Sequence, residues 1–339
     1  MRKHSIEIFL SLLILMVSLS CKENPKPSFE IKEKTEDVVA VEKRVRDSVA
    51  FKVIVKTDIP VSGYFRFMDS IVANYDSIVN YPLKEHIIVR ANPWIIDTLK
   101  NTDYYLRKER GEFVYDQRKL IVLQKGTALI VPDSAWANEI IQKQKATLID
   151  VNIPEFKLRI FEEGVLIETF LVRVGKNEIK YLETIGHDVD LRTQPGEGEI
   201  IRINKKPKFI NPVDGERYEK TRRDDGKKTL MPLIPWIEPQ IDGHRFGHMI
   251  HPTTNPKTLG KAYSNGCIGT TEADAWGIYY YAPIGTKVNF RYDLTIQNES
   301  GDTIQLKDIY DWKSHHIKSS PVAGFLFILN EENEMLLVK

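Results

Sequence analysis

Cys267 lies in the run Ser264-Asn265-Gly266-Cys267-Ile268-Gly269-Thr270, and upstream His251 opens the run His251-Pro252-Thr253-Thr254-Asn255-Pro256. A thiol and an imidazole are the pair from which a cysteine nucleophile is built. At its ordinary pKa of ~8.5 a thiol is mostly protonated at neutral pH, so it needs a base or a cationic neighbour before it attacks a carbonyl. The Ser-Asn-Gly triplet predicts a turn, which puts the sulfur at a corner of the chain and not in a core stripe. Such a corner lets the N–H groups of Gly266 and Cys267 point at a developing oxyanion, usually the largest contribution to acyl transfer. His251 ends the run Phe246 to His251, read as a strand, where a following carbonyl can fix the tautomer of the ring. Singly, each residue is more often a satisfied structural group; together they point to acyl transfer.

His244, His248 and His251 also raise the question of zinc. Gly243 and Gly247 argue against the helix that would gather such ligands, and strand alternation sends His248 and His251 to opposite faces. No metal and no cofactor is expected.

The segment resembles the catalytic domain of L,D-transpeptidases of the YkuD type, whose signature is His-Gly-Thr-Asn-Asn-Pro followed by Ser-His-Gly-Cys-Ile-Arg. Val174-Gly175-Lys176, Thr193-Gln194-Pro195-Gly196, Asn211-Pro212 and Ala282-Pro283-Ile284-Gly285-Thr286-Lys287-Val288 look like further landmarks of that family, in order. The resemblance implies Cys267 as nucleophile, His251 as general base, the Pro252 carbonyl as its orienting group, and an oxyanion site at Gly266 and Cys267 bordered by Asn265. Ser264, Asn255, Tyr263 and Arg245 are the candidate substrate-binding residues. The implied substrate is a peptidoglycan stem peptide, attacked to release D-alanine and leave a thioester that an amine resolves. The alternative is a peptidoglycan-binding protein that keeps the fold without turnover.

Three departures bear on this expectation. Asn265 replaces a histidine, though its amide can still donate a hydrogen bond. Pro252 replaces a glycine and stiffens the loop while keeping the carbonyl. Gly269 stands where the signature has arginine, a residue suited to gripping a carboxylate through two parallel bonds. Arg222, Arg223 and Arg245 are the candidates to replace it.

Around these residues, paired β runs are expected: Thr147–Asn152, Phe156–Phe161 and Val165–Val174, with a turn at Glu162-Glu163-Gly164, then Ile200–Ile203 and Lys287–Arg291. They predict a mainly β, largely antiparallel catalytic domain, sandwich-like or barrel-like, over residues 146–292. Asp214 to Lys228 reads as a charged surface loop or flap. Residues 49–135 read as a small α+β accessory domain. There Met68, Ile71, Val72, Tyr75 and Ile78 recur at helical spacing, Pro93 opens a helix through Leu99, and His86–Arg90 and Leu120–Leu123 read as strands. It is expected to serve as a spacer or interaction unit, with a LysM-like peptidoglycan-binding module as the alternative. Residues 293–339 read as a C-terminal β extension, with Ala323–Leu329 and Met335–Val338 pairing as a hairpin.

The 339-residue chain begins with Arg2, Lys3 and His4 ahead of an apolar run from Ile8 to Leu19, the pattern of a signal peptide over residues 1–20. Small residues directly before Cys21 resemble a lipobox, so Cys21 is the expected lipidation site of an envelope lipoprotein that faces the periplasm, in the outer membrane. Between Lys22 and Asp47, 14 of 26 residues are charged, which predicts for residues 21–48 a solvated tether of roughly 30 Å or else a short charged helix over Glu36–Ser48. Cleavage removes Arg2, Lys3 and Glu7 from 48 basic and 47 acidic residues, leaving the mature chain formally neutral. With no basic excess, nucleic acid is not an expected partner. Cys21 and Cys267 are the only cysteines, so a lipidated chain, expected to be a monomer, holds one thiol and no internal disulfide.

Overall fold

The computed structural model describes residues 49–182, 186–210, 216–298, 300–312 and 336–338. The signal peptide, Cys21, the tether, Asn211-Pro212 and Ala323–Leu329 lie outside them.

Eight strands form the central sheet: β1 Thr147–Asn152, β2 Lys157–Glu162, β3 Val165–Leu171, β4 Gly196–Asn204, β5 Trp236–Ile241, β6 Ile250–Pro252, β7 Ile268–Thr270 and β8 Lys287–Arg291. Alternation is clearest in β2, which turns Leu158 and Ile160 into the core and leaves Lys157, Arg159 and Phe161 half-buried. The β2–β3 hairpin turns at Glu163 (φ 51°) and Gly164 (φ 79°). Two successive left-handed residues match the right-handed twist of the flanking strands.

The strand order is β7-β6-β5-β4-β8-β1-β2-β3. Pairing is antiparallel except at β6–β7 and β8–β1, so the sheet is mostly antiparallel, as the sequence predicts. Just beyond β3, Arg173 pairs with Gly269 of β7, and each backbone N–H donates to the other's carbonyl at 2.9 and 3.0 Å. That contact joins the two outer strands and makes the sheet barrel-like.

Helices α1 Val61–Tyr75, α2 Glu85–Ala91, α3 Trp94–Lys100, α4 Tyr104–Glu109 and α5 Ser134–Lys145 belong to the N-terminal α+β region, with a strand pair Val49–Ile54 and Ala128–Pro132. Helix α6 Glu272–Tyr281 follows β7 directly and is buried almost all round. Thr271 caps it, its hydroxyl accepting from the Asp274 N–H at 2.9 Å. A continuous apolar cluster runs from Tyr64, Phe65 and Met68 of α1 through Trp276, Tyr279 and Tyr280 of α6 to Ile149, Val151 and Ile160 of the sheet.

Three expectations are corrected. His86–Arg90 is helical, not extended: Ile87, Ile88 and Val89 are all buried within α2. A short apolar run has no period that separates a strand from a helix buried on several sides. The run Phe246 to His251 becomes a strand only at Ile250, because Gly247 adopts φ 72° and turns the chain across the Cys267 loop. Lys220–Arg222 and Lys228–Leu230 form a hairpin with Thr221, Arg223 and Thr229 buried, so the Asp214–Lys228 segment is not merely a solvated flap. Leu336–Val338 pairs in parallel with Lys208–Ile210, while its expected hairpin partner Ala323–Leu329 lies outside the described residues; Thr295–Gln297 and Thr303–Gln305 form a hairpin that the sequence did not suggest.

Candidate active site

Strand register brings the two expected reactive residues together. His251 of β6 is directly opposite Gly269 of β7, and Cys267 lies two residues before Gly269. A strand repeats every two residues, so Cys267 and His251 fall on one face of neighbouring strands. Both line the same cleft, with Asn255, Ser264, Asn265 and Trp236.

The Cys267 corner is held from several directions. Gly266 has φ 101°, and a Cβ there would meet His248 Cδ2 at 2.7 Å, so both backbone angle and space require glycine. The Ser264 hydroxyl donates to the Cys267 carbonyl at 2.6 Å. Thr193 links two further landmarks: its hydroxyl donates to the Gly266 carbonyl at 2.9 Å and accepts from the Gly175 N–H at 2.8 Å. Among the described hydrogen bonds none uses the N–H of Gly266 or Cys267, which leaves both able to serve an incoming oxygen.

Cys267 is 7% exposed and packs with Trp236 and Met249. Burial pushes its pKa up to about 11; a hydrogen bond from the Met249 backbone and the charge of Arg173 act in the opposite direction. At rest the group is therefore a neutral thiol that needs a base.

His251 is itself buried. Its Nδ1 lies 2.9 Å from the Pro252 carbonyl oxygen. A carbonyl can only accept, so Nδ1 carries the proton and Nε2 is the nitrogen with basic character. The indole of Trp236 packs on the ring, centroids 5.3 Å apart. His248 does not line the cleft; it stacks on Phe246 with centroids 5.5 Å apart, and burial lowers its pKa to about 4.

The candidate substrate-binding residues divide. Asn255 lines the cleft, and its amide, oriented with Nδ2 toward them, donates to the carbonyls of Thr254 and Arg222 at 2.9 and 3.1 Å. Ser264 lines the cleft too but commits its hydroxyl to the loop. Tyr263 is 57% exposed and outside the lining. Arg245 is also outside, gripping buried Glu238 through both Nε and Nη2 at 2.9 to 3.0 Å. Arg223 is spent in the same way on Glu272, in a fully buried pair, and Arg222 points outward.

Three contributors were not singled out from sequence: Trp236, Tyr105 and Arg173. Tyr105 of α4 donates its hydroxyl to the Thr254 carbonyl at 3.1 Å and accepts from the Asp224 N–H at 2.8 Å. It thus ties the N-terminal region to the segment that follows His251. Arg173 lines the cleft. Its signal in the sequence was a charge set between Val172 and Val174.

Residues 146–290 match the family model of the L,D-transpeptidase catalytic domain, YkuD. The protein YkuD of Bacillus licheniformis is 26% identical over 141 residues, which cover 42% of this chain and 63% of that relative. Among solved structures, an L,D-transpeptidase from Mycobacterium smegmatis aligns over 43% of this chain and 58% of its own at 15% identity and a TM-score of 0.29. One from Xylanimonas cellulosilytica aligns over 70% and 97% at 11% identity and a TM-score of 0.31. Residues 146–290 thus match the L,D-transpeptidase catalytic domain model, and the ordered motifs of the same segment agree with that match.

Proposed function

We propose that the chain is an L,D-transpeptidase that acts on peptidoglycan stem peptides through Cys267. The observation that carries the reading is the placement of Cys267 and His251 in one cleft, with His251 Nδ1 held by the Pro252 carbonyl. His251 Nε2 takes the thiol proton as Sγ attacks the peptide carbonyl. The oxyanion settles against the Gly266 and Cys267 N–H groups. Collapse breaks the C–N bond, D-alanine leaves with the proton held by His251, and the acyl group remains on sulfur. An amine then attacks the thioester, the C–S bond breaks, and the proton returns to Sγ. The chain does this as a monomeric lipoprotein tethered through Cys21 in the outer membrane and facing the periplasm.

The test is intact mass after incubation with a stem tetrapeptide or a carbapenem. An adduct that appears on the full chain and is abolished by Cys267→Ala and slowed at least a hundredfold by His251→Gln is the expected result. One observation favours a second reading, a wall-binding protein without turnover: the thiol is almost enclosed and strongly resists ionisation. Tetrapeptide retention with no adduct under any condition is the outcome of that reading.

A further inference from the structure

Arg173 is the only arginine or lysine among the described residues that line the Cys267 cleft. Its Nη1 reaches the Thr258 hydroxyl at 3.2 Å. Its Nε is shut off from solvent and has no hydrogen-bond partner. No carboxylate among the described residues lies within ion-pair distance of it, in contrast to Arg223 and Arg245, which each hold a buried glutamate. Burial works against the Arg173 charge, and Cys267 is the first of the groups that offset it. A largely desolvated cation with an unused donor is expensive unless an anion completes it.

The neighbouring strand is shaped for this guanidinium. Gly269 faces Arg173 across the closing bridge, and a Cβ on Gly269 would sit 2.5 Å from Arg173 Nε and 2.7 Å from its Cγ. Only glycine lets the arginine lie over β7. The position that carries arginine in the family signature is here emptied, and the strand beside it supplies the cation instead.

We propose that Arg173 is the specificity-determining residue that receives a carboxylate of the peptide acylating Cys267. This rests on Cys267 being the nucleophile, and its test does not require a peptidoglycan substrate. Iodoacetate and iodoacetamide each alkylate the sulfur with loss of iodide and differ mainly in the charge that Arg173 would read. Their rates are measured on the full chain by intact mass. Relative to the unmodified chain, Arg173→Gln should lower the iodoacetate-to-iodoacetamide ratio about tenfold, and Arg173→Lys should keep most of it. Acetyl-D-alanine should protect against iodoacetate in the unmodified chain and not in Arg173→Gln. If Arg173→Gln does not fold, Gly269→Ala, which displaces the guanidinium without removing it, should lower the ratio as well.

An unchanged ratio, or equal slowing of both reagents, overturns the proposal, since the latter means Arg173 only eases ionisation of the thiol. A charge-selective effect in a chain that no stem peptide acylates upholds the anion site and sinks the transpeptidase reading, so the two failures are distinguishable.

Discussion

Arg173 and Gly269 exchange both backbone hydrogen bonds, and the side chain of the first fills the space that the second leaves open. The contact closes the sheet beside the nucleophile, so packing at this seam is coupled to the cleft. Gly269→Ala is expected to destabilise the fold by about 1 to 3 kcal/mol through overpacking. Truncating the arginine as well should relieve part of that loss, with a coupling energy of at least 0.5 kcal/mol or so in a double-mutant cycle. Urea titrations of the four proteins measure it, and strict additivity would contradict the packing described.

The pH dependence of the thiol follows from its burial. With a pKa near 11, Cys267 is ionised in only about one molecule in ten thousand at pH 7. Because the shift favours the protonated form, the thiolate fraction climbs about tenfold per pH unit up to that value. In His251→Ala, alkylation by iodoacetamide should track this slope between pH 7 and 10. The unmodified chain should react faster at neutral pH and show a shallower profile. Superimposable profiles would remove His251 from the role of base.

Tyr105 offers a way to test whether the N-terminal region contributes to the site. Its hydroxyl bonds the Thr254 carbonyl and the Asp224 N–H, and Tyr105→Phe deletes both with little change in shape. A stability loss of about 1 to 2 kcal/mol is expected, together with a several-fold fall in kcat for acylation as the chain after His251 loosens. An unaltered kcat would show that the segment is held well enough without it.

Acid should unfold the protein through buried imidazoles. His86 and His248 have pKa values lowered from 6.5 to about 4, in both cases chiefly by burial. A depressed value means that the unfolded chain binds the proton first. Their contribution is full above pH 6.5 and is lost as pH falls towards 4, about 3 kcal/mol each. Denaturation at pH 7 and pH 4.5 measures the loss, and His86→Phe should flatten it; an identical loss in that variant would place the acid sensitivity elsewhere.

Much of the sheet was legible because its strands carry their own punctuation. Thr147–Asn152 and Lys287–Arg291 appear with the boundaries read from sequence, and the Glu163-Gly164 turn needs no tertiary partner. What failed was decided by packing: Ile87–Val89 is apolar all round, and neither period marks such a run. At the site, Cys267 and His251 were legible as a pair. Arg173 was hidden because its role depends on a bridge to a residue far along the chain, and Arg245 misled because Glu238, only seven residues upstream, is buried and claims its guanidinium, a burial that nothing in the local sequence marks.

Helix α6 follows the nucleophile strand directly, yet its surroundings come mainly from the first half of the chain. Tyr280 bonds Tyr64 and Glu85 at 2.7 Å, Glu272 accepts from the Tyr104 N–H and Gln117, and the Ala273 N–H is taken by Asp103. A polypeptide beginning near residue 146 would contain every reactive group and still present a bare aromatic wall to water. Shortened versions of this protein should therefore be sought by trimming before residue 49, and a library of excised catalytic halves is expected to yield aggregates instead of smaller enzymes.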